Sequence, residues 1–262
     1  MCVHPQPVLF LLLLVILAAP ARTLAHGDSL PFIAFWNPPT RPFPADVASC
    51  QRSIGRSRDR CLEQAVQLLT DCRRRQLHGD ACSQVVIDQA LEVRKDATTT
   101  SMINACTDER ARSLYFLNLS EAVTDKDFVC TRVPQAVLDL TYAPITATTP
   151  ADIFPCIEEI AGIAGKYVRR ISVAETRILD RIAVHGQPPS VVNQRINRTS
   201  ARLSRWRTRA AATMLRRCPD YAAVYGGAPT DLLLQVELMA HCAVGAGYIQ
   251  QAFACPRGYL PR

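Results

Sequence analysis

Apolar residues recur at helical spacing along most of this chain. In the first such region they fall within one stripe of a helical wheel, formed by Ile54, Cys61, Leu62, Ala65, Leu68, Leu69 and Cys72. The stripe predicts a long helix that begins near Cys50 and ends at the turn Leu77-His78-Gly79-Asp80.

Three cysteines share this helical face. Cys50, Cys61 and Cys72 follow one another at intervals of about 16 Å along the helix axis. A disulfide joins Cα atoms less than about 7 Å apart, so these three cannot pair with one another. We therefore expect each to bond to a different neighbouring element, with this helix at the centre of a bundle. Cys82 follows just after the turn, and we predict that it pairs with Cys72.

The remaining periodic segments also predict helices, and no segment shows sustained strand alternation. One helix is expected to begin at Thr149 or Asp152 and to stop at Gly186, before Pro188 and Pro189. The other predicted helices are 82–95, 100–119, 131–142, 190–217 and 230–254. The predicted fold is all-α: a disulfide-stapled bundle of about seven helices, as one bundle or two packed half-bundles.

The non-helical stretches divide the chain. The apolar run Val8–Ala19 is too short for a membrane span and predicts a signal peptide at 1–25, cleaved after Ala21 or Ala25. Residues 26–45, with five prolines and several aromatic residues, predict an extended arm that packs onto the body. The segment 142–150 is the best candidate boundary between a helical half at 46–145 and another at 146–262. After signal cleavage we expect no integral membrane span.

The cysteines indicate the cellular compartment of the protein. Ten remain after signal cleavage, six in the first half and four in the second: Cys50, Cys61, Cys72, Cys82, Cys106, Cys130, Cys156, Cys218, Cys242 and Cys255. An even number in an exported chain indicates a disulfide framework. Metal binding is the competing interpretation, but no C-x-x-C motif is present. We predict export to the periplasm or the extracellular space, and no metal or cofactor.

Charge adds one candidate binding surface. The chain has a formal net charge of +7, and no acid occurs between Asp180 and Asp220. On a helical wheel one face of the helix in this stretch carries Arg195, Arg198, Arg202, Arg205, Arg209, Arg216 and Arg217, with Trp206 near its edge. Guanidinium groups suit phosphates and carboxylates. The face is either an anion-binding surface or a solvated one paired with the acids of neighbouring helices.

Catalytic patterns are weak. Gly27-Asp28-Ser29-Leu30 resembles the nucleophile block of GDSL esterases, but no strand precedes it and no matching Asp-x-x-His follows. His78 and His185 precede helix-ending glycines, where a partly positive ring suits the helix dipole. His241 is expected in the core. We therefore predict no catalytic residue.

Four strings carry a resemblance that spans most of the chain after the signal peptide. They are Phe35-Trp36 followed by Ser49-Cys50-Gln51-Arg52-x-Ile54; Cys106-Thr107-x-Glu109-x-Ala111-Arg112-x-Leu114; Arg177-Ile178-Leu179-Asp180-Arg181-Ile182-Ala183; and Ala240-x-Cys242-x-x-Gly245-x-x-Tyr248-Ile249-Gln250. Together they resemble a group of uncharacterised exported bacterial proteins built from cysteine-anchored helices. The resemblance implies the fold and export, and it implies no activity.

Three functions remain open from sequence. The leading expectation is an exported non-enzymatic protein that acts structurally or by binding a partner. An alternative is a binder of an anionic polymer or surface through the Arg195–Arg217 helix. A secreted enzyme of unrecognised type, with a cleft between the two halves, is the third.

Overall fold

The computed structural model describes residues 39, 41–124, 127–146 and 148–248. This part of the chain contains nine α-helices and no strand, which confirms the predicted all-α bundle. The helices are α1 (Ala45–Leu77), α2 (Gln84–Ala105), α3 (Asp108–Ser113), α4 (Leu119–Thr124), α5 (Val133–Thr141), α6 (Phe154–His185), α7 (Pro189–Arg217), α8 (Tyr221–Tyr225) and α9 (Pro229–Gly245). A π-helical turn, Phe128–Arg132, leads into α5, and a 3-10 turn, Ala151–Ile153, leads into α6.

Helix α1 lies at the centre of the bundle, as predicted. Asp46 in its first turn and Arg74 and Arg75 in its last turn have the signs that the helix dipole favours. The helix ends before Gly79, whose φ of +80° is readily adopted by glycine. The apolar stripe of α1 is buried against α2, α5 and α6.

Disulfides tie α1 to both ends of α2 and to the π-helical turn, so the three cysteines of α1 do not pair with one another, as predicted, but they reach two elements rather than three. Cys50 pairs with Cys106 at the end of α2, Cys61 pairs with Cys130 in the π-helical turn, and Cys72 pairs with Cys82 before α2. The predicted Cys72 pairing is confirmed.

A fourth disulfide joins the two long helices of the second half. It links Cys156, at the start of α6, to Cys218, just after α7. Cys242 is also disulfide-bonded. Cys255 lies outside the described residues.

The predicted break between Lys95 and Thr100 is wrong, because α2 runs through it without interruption. The polar residues there do not compete with the helix: the hydroxyl groups of Thr98 and Thr99 donate to backbone oxygens four residues earlier, at 2.9 and 3.0 Å. The helix ends at Cys106, which the disulfide to Cys50 holds in an extended conformation. The predicted helix 100–119 is therefore divided between the end of α2 and the short helix α3.

Helix α9 is shorter than predicted. It ends at Gly245 rather than Ala254, and the chain turns at 246–248. The hydroxyl of Tyr248 donates to Asp180 Oδ1 on α6 at 2.6 Å, a contact that continuing helix periodicity does not foresee. Residues after 248 lie outside the described part.

One central core draws on both sides of the predicted boundary. The first half contributes Leu62 and Val66 of α1 and Val133 and Val137 of α5. The later helices contribute Ile160, Ala164, Ile171, Leu203, Met214, Val236 and Met239. Helix α6 is central to this arrangement, since it packs against α1, α5, α7 and α9.

The part of the predicted arm that the structure describes, residues 39 and 41–45, packs onto the helical bundle. Phe43 packs against two core clusters, and its backbone N–H donates to the carbonyl of Ala183 at 3.0 Å. The other aromatic residues of the arm, including Trp36, lie outside the described residues. Among the described helices, none is long and apolar enough to cross a membrane.

Candidate functional site

Helices α6 and α7 form a hairpin that carries an open groove. A short loop at 186–188 joins them, and Arg170 of α6 lies 4.1 Å from the ring centroid of Trp206 of α7. These two residues are about equally far from the loop, so the helices run antiparallel. The groove has a volume of about 910 Å³ and is lined by α6 between Lys166 and Arg181 and by α7 between Val191 and Trp206. We call it the basic groove.

Among the described residues, eight cationic side chains and no carboxylate line the basic groove. They are Lys166, Arg169, Arg170, Arg177, Arg181, Arg195, Arg198 and Arg202. Arg169 pairs with Glu63 of α1 at 2.9 Å. Within the described residues, no carboxylate lies within 4 Å of the charged groups of the other seven. The groove is therefore a concentrated, largely uncompensated positive surface.

Helix geometry places these cations side by side. Lys166 and Arg170, Arg177 and Arg181, and Arg198 and Arg202 are each four residues apart, so they lie on the same face of their helices. Like charges at this spacing destabilise a helix by about 0.2–0.5 kcal/mol per pair. A bound anion relieves this repulsion.

The floor of the groove is less polar than its walls. Val173, Ala174 and Ile178 of α6 are half-buried there, and Thr199 of α7 is buried. All the cations except the half-buried Arg195 are exposed. The Nε atom of Arg195 is buried and has no hydrogen-bond partner in the described part of the chain.

Trp206 closes one end of the groove. The guanidinium of Arg170 lies over its ring at 4.1 Å, and that of Arg202 lies 5.9 Å from the ring centroid. Both distances fall within the range of cation–π attraction. The ring thus attracts one cation from each helix.

The predicted basic face divides between this groove and open surface. Arg195, Arg198 and Arg202 line the groove, together with Trp206. The other four predicted arginines are exposed on α7 outside it: Arg205, Arg209, Arg216 and Arg217.

Sequence reasoning missed the five cations that α6 contributes. The signal was present, because Lys166, Arg170, Arg177 and Arg181 are spaced on one helical face. It was masked by Glu175 and Asp180 in the same helix, which make the stretch look mixed in charge. The structure turns both acids inward, where Glu175 is 0% and Asp180 is 6% exposed.

Glu175 of α6 and Glu237 of α9 are held in the core. His241 Nδ1 lies 3.0 Å from Glu175 Oε2, and both side chains are fully buried. Tyr167 donates to Glu237 Oε2 at 2.8 Å, and Arg207 donates to the same oxygen at 3.3 Å. Burial alone lowers the pKa of His241, but the Glu175 carboxylate raises it above its ordinary value overall. These groups link α6, α7 and α9, and none of the five lines the basic groove.

The other two described histidines, His78 and His185, lie at helix ends, as predicted. His78 Nε2 lies 2.6 Å from Glu158 Oε1, and His185 is the last residue of α6. The segment Gly27–Leu30 lies outside the described residues. In the part of the chain that is described, no group of three or more His, Cys, Asp or Glu residues is placed to hold a metal ion.

Comparison of the chain with protein-family models, with curated proteins and with solved structures found no match.

Proposed function

We propose that this protein is exported and binds an anionic polymer in the basic groove. The observation that carries the proposal is the lining itself: in the described part of the chain, eight cations and no carboxylate face a cavity of about 910 Å³. Seven of the eight are arginines, whose planar forks bind phosphate, sulfate and carboxylate groups through paired hydrogen bonds.

The length of the groove favours a polymer over a small anion. Lys166 and Arg181 are fifteen residues apart on α6, which corresponds to about 22 Å along the axis. A single phosphate contacts two or three guanidinium groups and leaves the others uncompensated. A chain with several charged groups engages both walls along their whole length.

The chemistry of the lining favours binding over catalysis. Arginine stays protonated in proteins, so it does not serve as a general acid or base at neutral pH. None of the described His, Cys, Asp or Glu residues lines the groove to supply that role. The lining can hold and orient an anion, and we assign no reaction to it.

Export is part of the proposal and rests on two observations. The apolar run Val8–Ala19 has the length of a signal-peptide core, and small residues that suit cleavage follow it at Ala21 and Ala25. Four disulfides connect the described helices, and such bonds persist in oxidising compartments.

The test compares two triple variants of equal charge. The groove variant carries Arg181→Gln, Arg198→Gln and Arg202→Gln. The control carries Arg205→Gln, Arg209→Gln and Arg216→Gln, which are exposed outside the groove. Affinity for inorganic polyphosphate and for heparin is measured from 50 mM to 400 mM salt.

We expect the groove variant to lose at least about tenfold in affinity and to show a shallower salt dependence, because fewer counterions are displaced. The control should lose less than about threefold, through long-range electrostatics alone. Equal losses in the two variants mean that net charge, not the groove, attracts the polymer, and the proposal is then wrong. Unchanged binding in the groove variant also refutes it.

A further inference from the structure

The basic groove adjoins a second cavity at its Lys166 end. This cavity has a volume of about 590 Å³ and lies between α1 and the first half of α6. Lys166 and Arg169 line both cavities, so a ligand that follows α6 passes from one into the other. Glu159 lines the second cavity, and from it to Arg181 at the far end of the groove α6 rises by about 33 Å. We call the second cavity the α1–α6 cavity.

The α1–α6 cavity differs from the basic groove in charge. Four carboxylates line it, against three cations: Glu63, Asp71, Glu158 and Glu159. Three of the four are in ion pairs, since Glu63 lies 2.9 Å from Arg169, Asp71 3.0 Å from Arg74, and Glu158 2.6 Å from His78. Another anion gains little among these carboxylates, because they repel it. The negative charges of the bound polymer therefore belong in the basic groove.

Hydroxyl groups suit the α1–α6 cavity. A carboxylate has several lone pairs, so it still accepts a hydrogen bond from a hydroxyl while it is in an ion pair. Gln67 and Thr70 of α1 add an amide and a hydroxyl, which both donate and accept. Gln67 is exposed and Thr70 is half-buried. A ligand segment rich in hydroxyl groups satisfies this lining, whereas an ionised phosphate chain offers only acceptors.

The floor of the basic groove favours a polymer with apolar surface. Val173, Ala174 and Ile178 of α6 are half-buried there. Sugar rings present C–H groups that cover such side chains and exclude water from them. Polyphosphate has no apolar atoms to bury. The floor is consequently better matched by sugar rings than by polyphosphate.

The aromatic content of the groove is low for a nucleic-acid site. Single strands are held by stacking of successive bases on aromatic side chains. Among the described residues that line the groove, only Trp206 is aromatic. The guanidinium of Arg170 lies over its ring, 4.1 Å from the centroid. The groove therefore lacks the row of open rings on which a strand of bases would stack.

We infer that the anionic polymer is an acidic polysaccharide, a chain of sugars that carry carboxylate or sulfate groups and free hydroxyl groups. This inference rests on the proposed anion binding in the basic groove and adds the chemical class of the polymer. The arginines of the groove pair with the charged groups, and the apolar floor lies against the sugar rings. The α1–α6 cavity binds the hydroxyl groups of the sugar beyond Lys166.

The test compares three polymers of equal length: an oligogalacturonate, whose sugars carry carboxylates and free hydroxyls, inorganic polyphosphate, and oligodeoxythymidylate. Each is titrated into the oxidised protein at low salt, with the affinity measured by calorimetry. The cavity variants Gln67→Leu and Thr70→Val each remove hydrogen-bonding groups without a change of charge. Gln64→Leu is the matched control, because Gln64 is exposed on α1 but does not line the α1–α6 cavity.

We expect each cavity variant to weaken oligogalacturonate binding by about fivefold, which corresponds to the loss of one hydrogen bond. Binding of the two phosphate polymers should change by less than about twofold, because the carboxylates keep these polymers out of the cavity. The control should bind all three polymers like the wild type. Cavity variants that weaken all three polymers equally, or that weaken none, overturn the inference of a polysaccharide.

The groove variant with Arg181→Gln, Arg198→Gln and Arg202→Gln separates this inference from the proposed function. If that variant loses affinity for the phosphate polymers while the wild type does not bind oligogalacturonate, the groove binds anions but the polysaccharide is wrong. If the groove variant binds every polymer like the wild type, anion binding in the groove is wrong, and the inference that rests on it is wrong as well.

Discussion

Asp59 should make the protein less stable as pH rises from about 4 to about 7. This α1 residue is partly buried against α6, where the Ser172 hydroxyl donates to its Oδ1, as does Thr176 at 3.2 Å. Burial raises the pKa of Asp59 from 3.8 to about 7 despite these hydrogen bonds. Asp180 raises it further, and Arg177 in the basic groove opposes the shift.

The sign and size of the effect follow from proton linkage. In the unfolded chain Asp59 ionises near pH 3.8, but in the folded protein it keeps its proton until about pH 7. The folded state therefore binds more protons between these values, and stability falls across this window as pH rises. A shift of about 3 units corresponds to about 4 kcal/mol, and we expect about 2–4 kcal/mol because the side chain is partly solvent-accessible.

The perturbation is Asp59→Asn, which keeps an acceptor for Ser172 and Thr176 and does not ionise. Urea unfolding of both proteins gives the difference in free energy of unfolding at each pH. We expect the two to differ little below pH 4 and the variant to be more stable by about 2–4 kcal/mol at pH 8.

Arg177→Gln is the companion variant. It removes a charge that favours ionised Asp59, so the loss of stability with rising pH should be larger than in the wild type. The reasoning would be refuted if the difference in free energy of unfolding between the wild type and Asp59→Asn stayed constant from pH 4 to pH 8. Asp59 would then have the same pKa in the folded and unfolded states.

Two further predictions concern the covalent and backbone framework. Removing the Cys61–Cys130 disulfide by a double alanine substitution should lower the free energy of unfolding by about 4 kcal/mol, and removing Cys72–Cys82 should lower it by about 3 kcal/mol, because the cross-links span 69 and 10 residues. Denaturant unfolding measures both, and a larger loss for the shorter loop would contradict the chain-entropy explanation. Gly186→Ala should cost more than about 2 kcal/mol, because Gly186 has φ +60° and ψ 160° and its Cβ would lie 2.7 Å from the Arg41 carbonyl carbon. Gly226→Ala is the control at about 1 kcal/mol, since Gly226 has φ +70° in the left-handed region and open space around it. Similar thermal shifts for the two glycine variants would show that the contact with Arg41 is unimportant.

The sequence alone determined the helical fold and part of its disulfide connectivity. A helix has a fixed rise and period, so the stripe on α1 and the positions of Cys50, Cys61 and Cys72 follow from spacing. The same regularity made the basic face of α7 visible. The sequence did not determine where α2 ends, because Thr98 and Thr99 satisfy their hydroxyl groups inside the helix.

Only the tertiary structure decided which charged residues meet. Helical periodicity shows which side chains share a face, but it does not show which face turns toward a neighbour. The antiparallel packing of α6 on α7 brings two rows of cations into one groove and buries Glu175 on the opposite side. The width of the basic groove likewise depends on the distance between α6 and α7. Such distances are set by the packing of many side chains at once, and no local pattern encodes them.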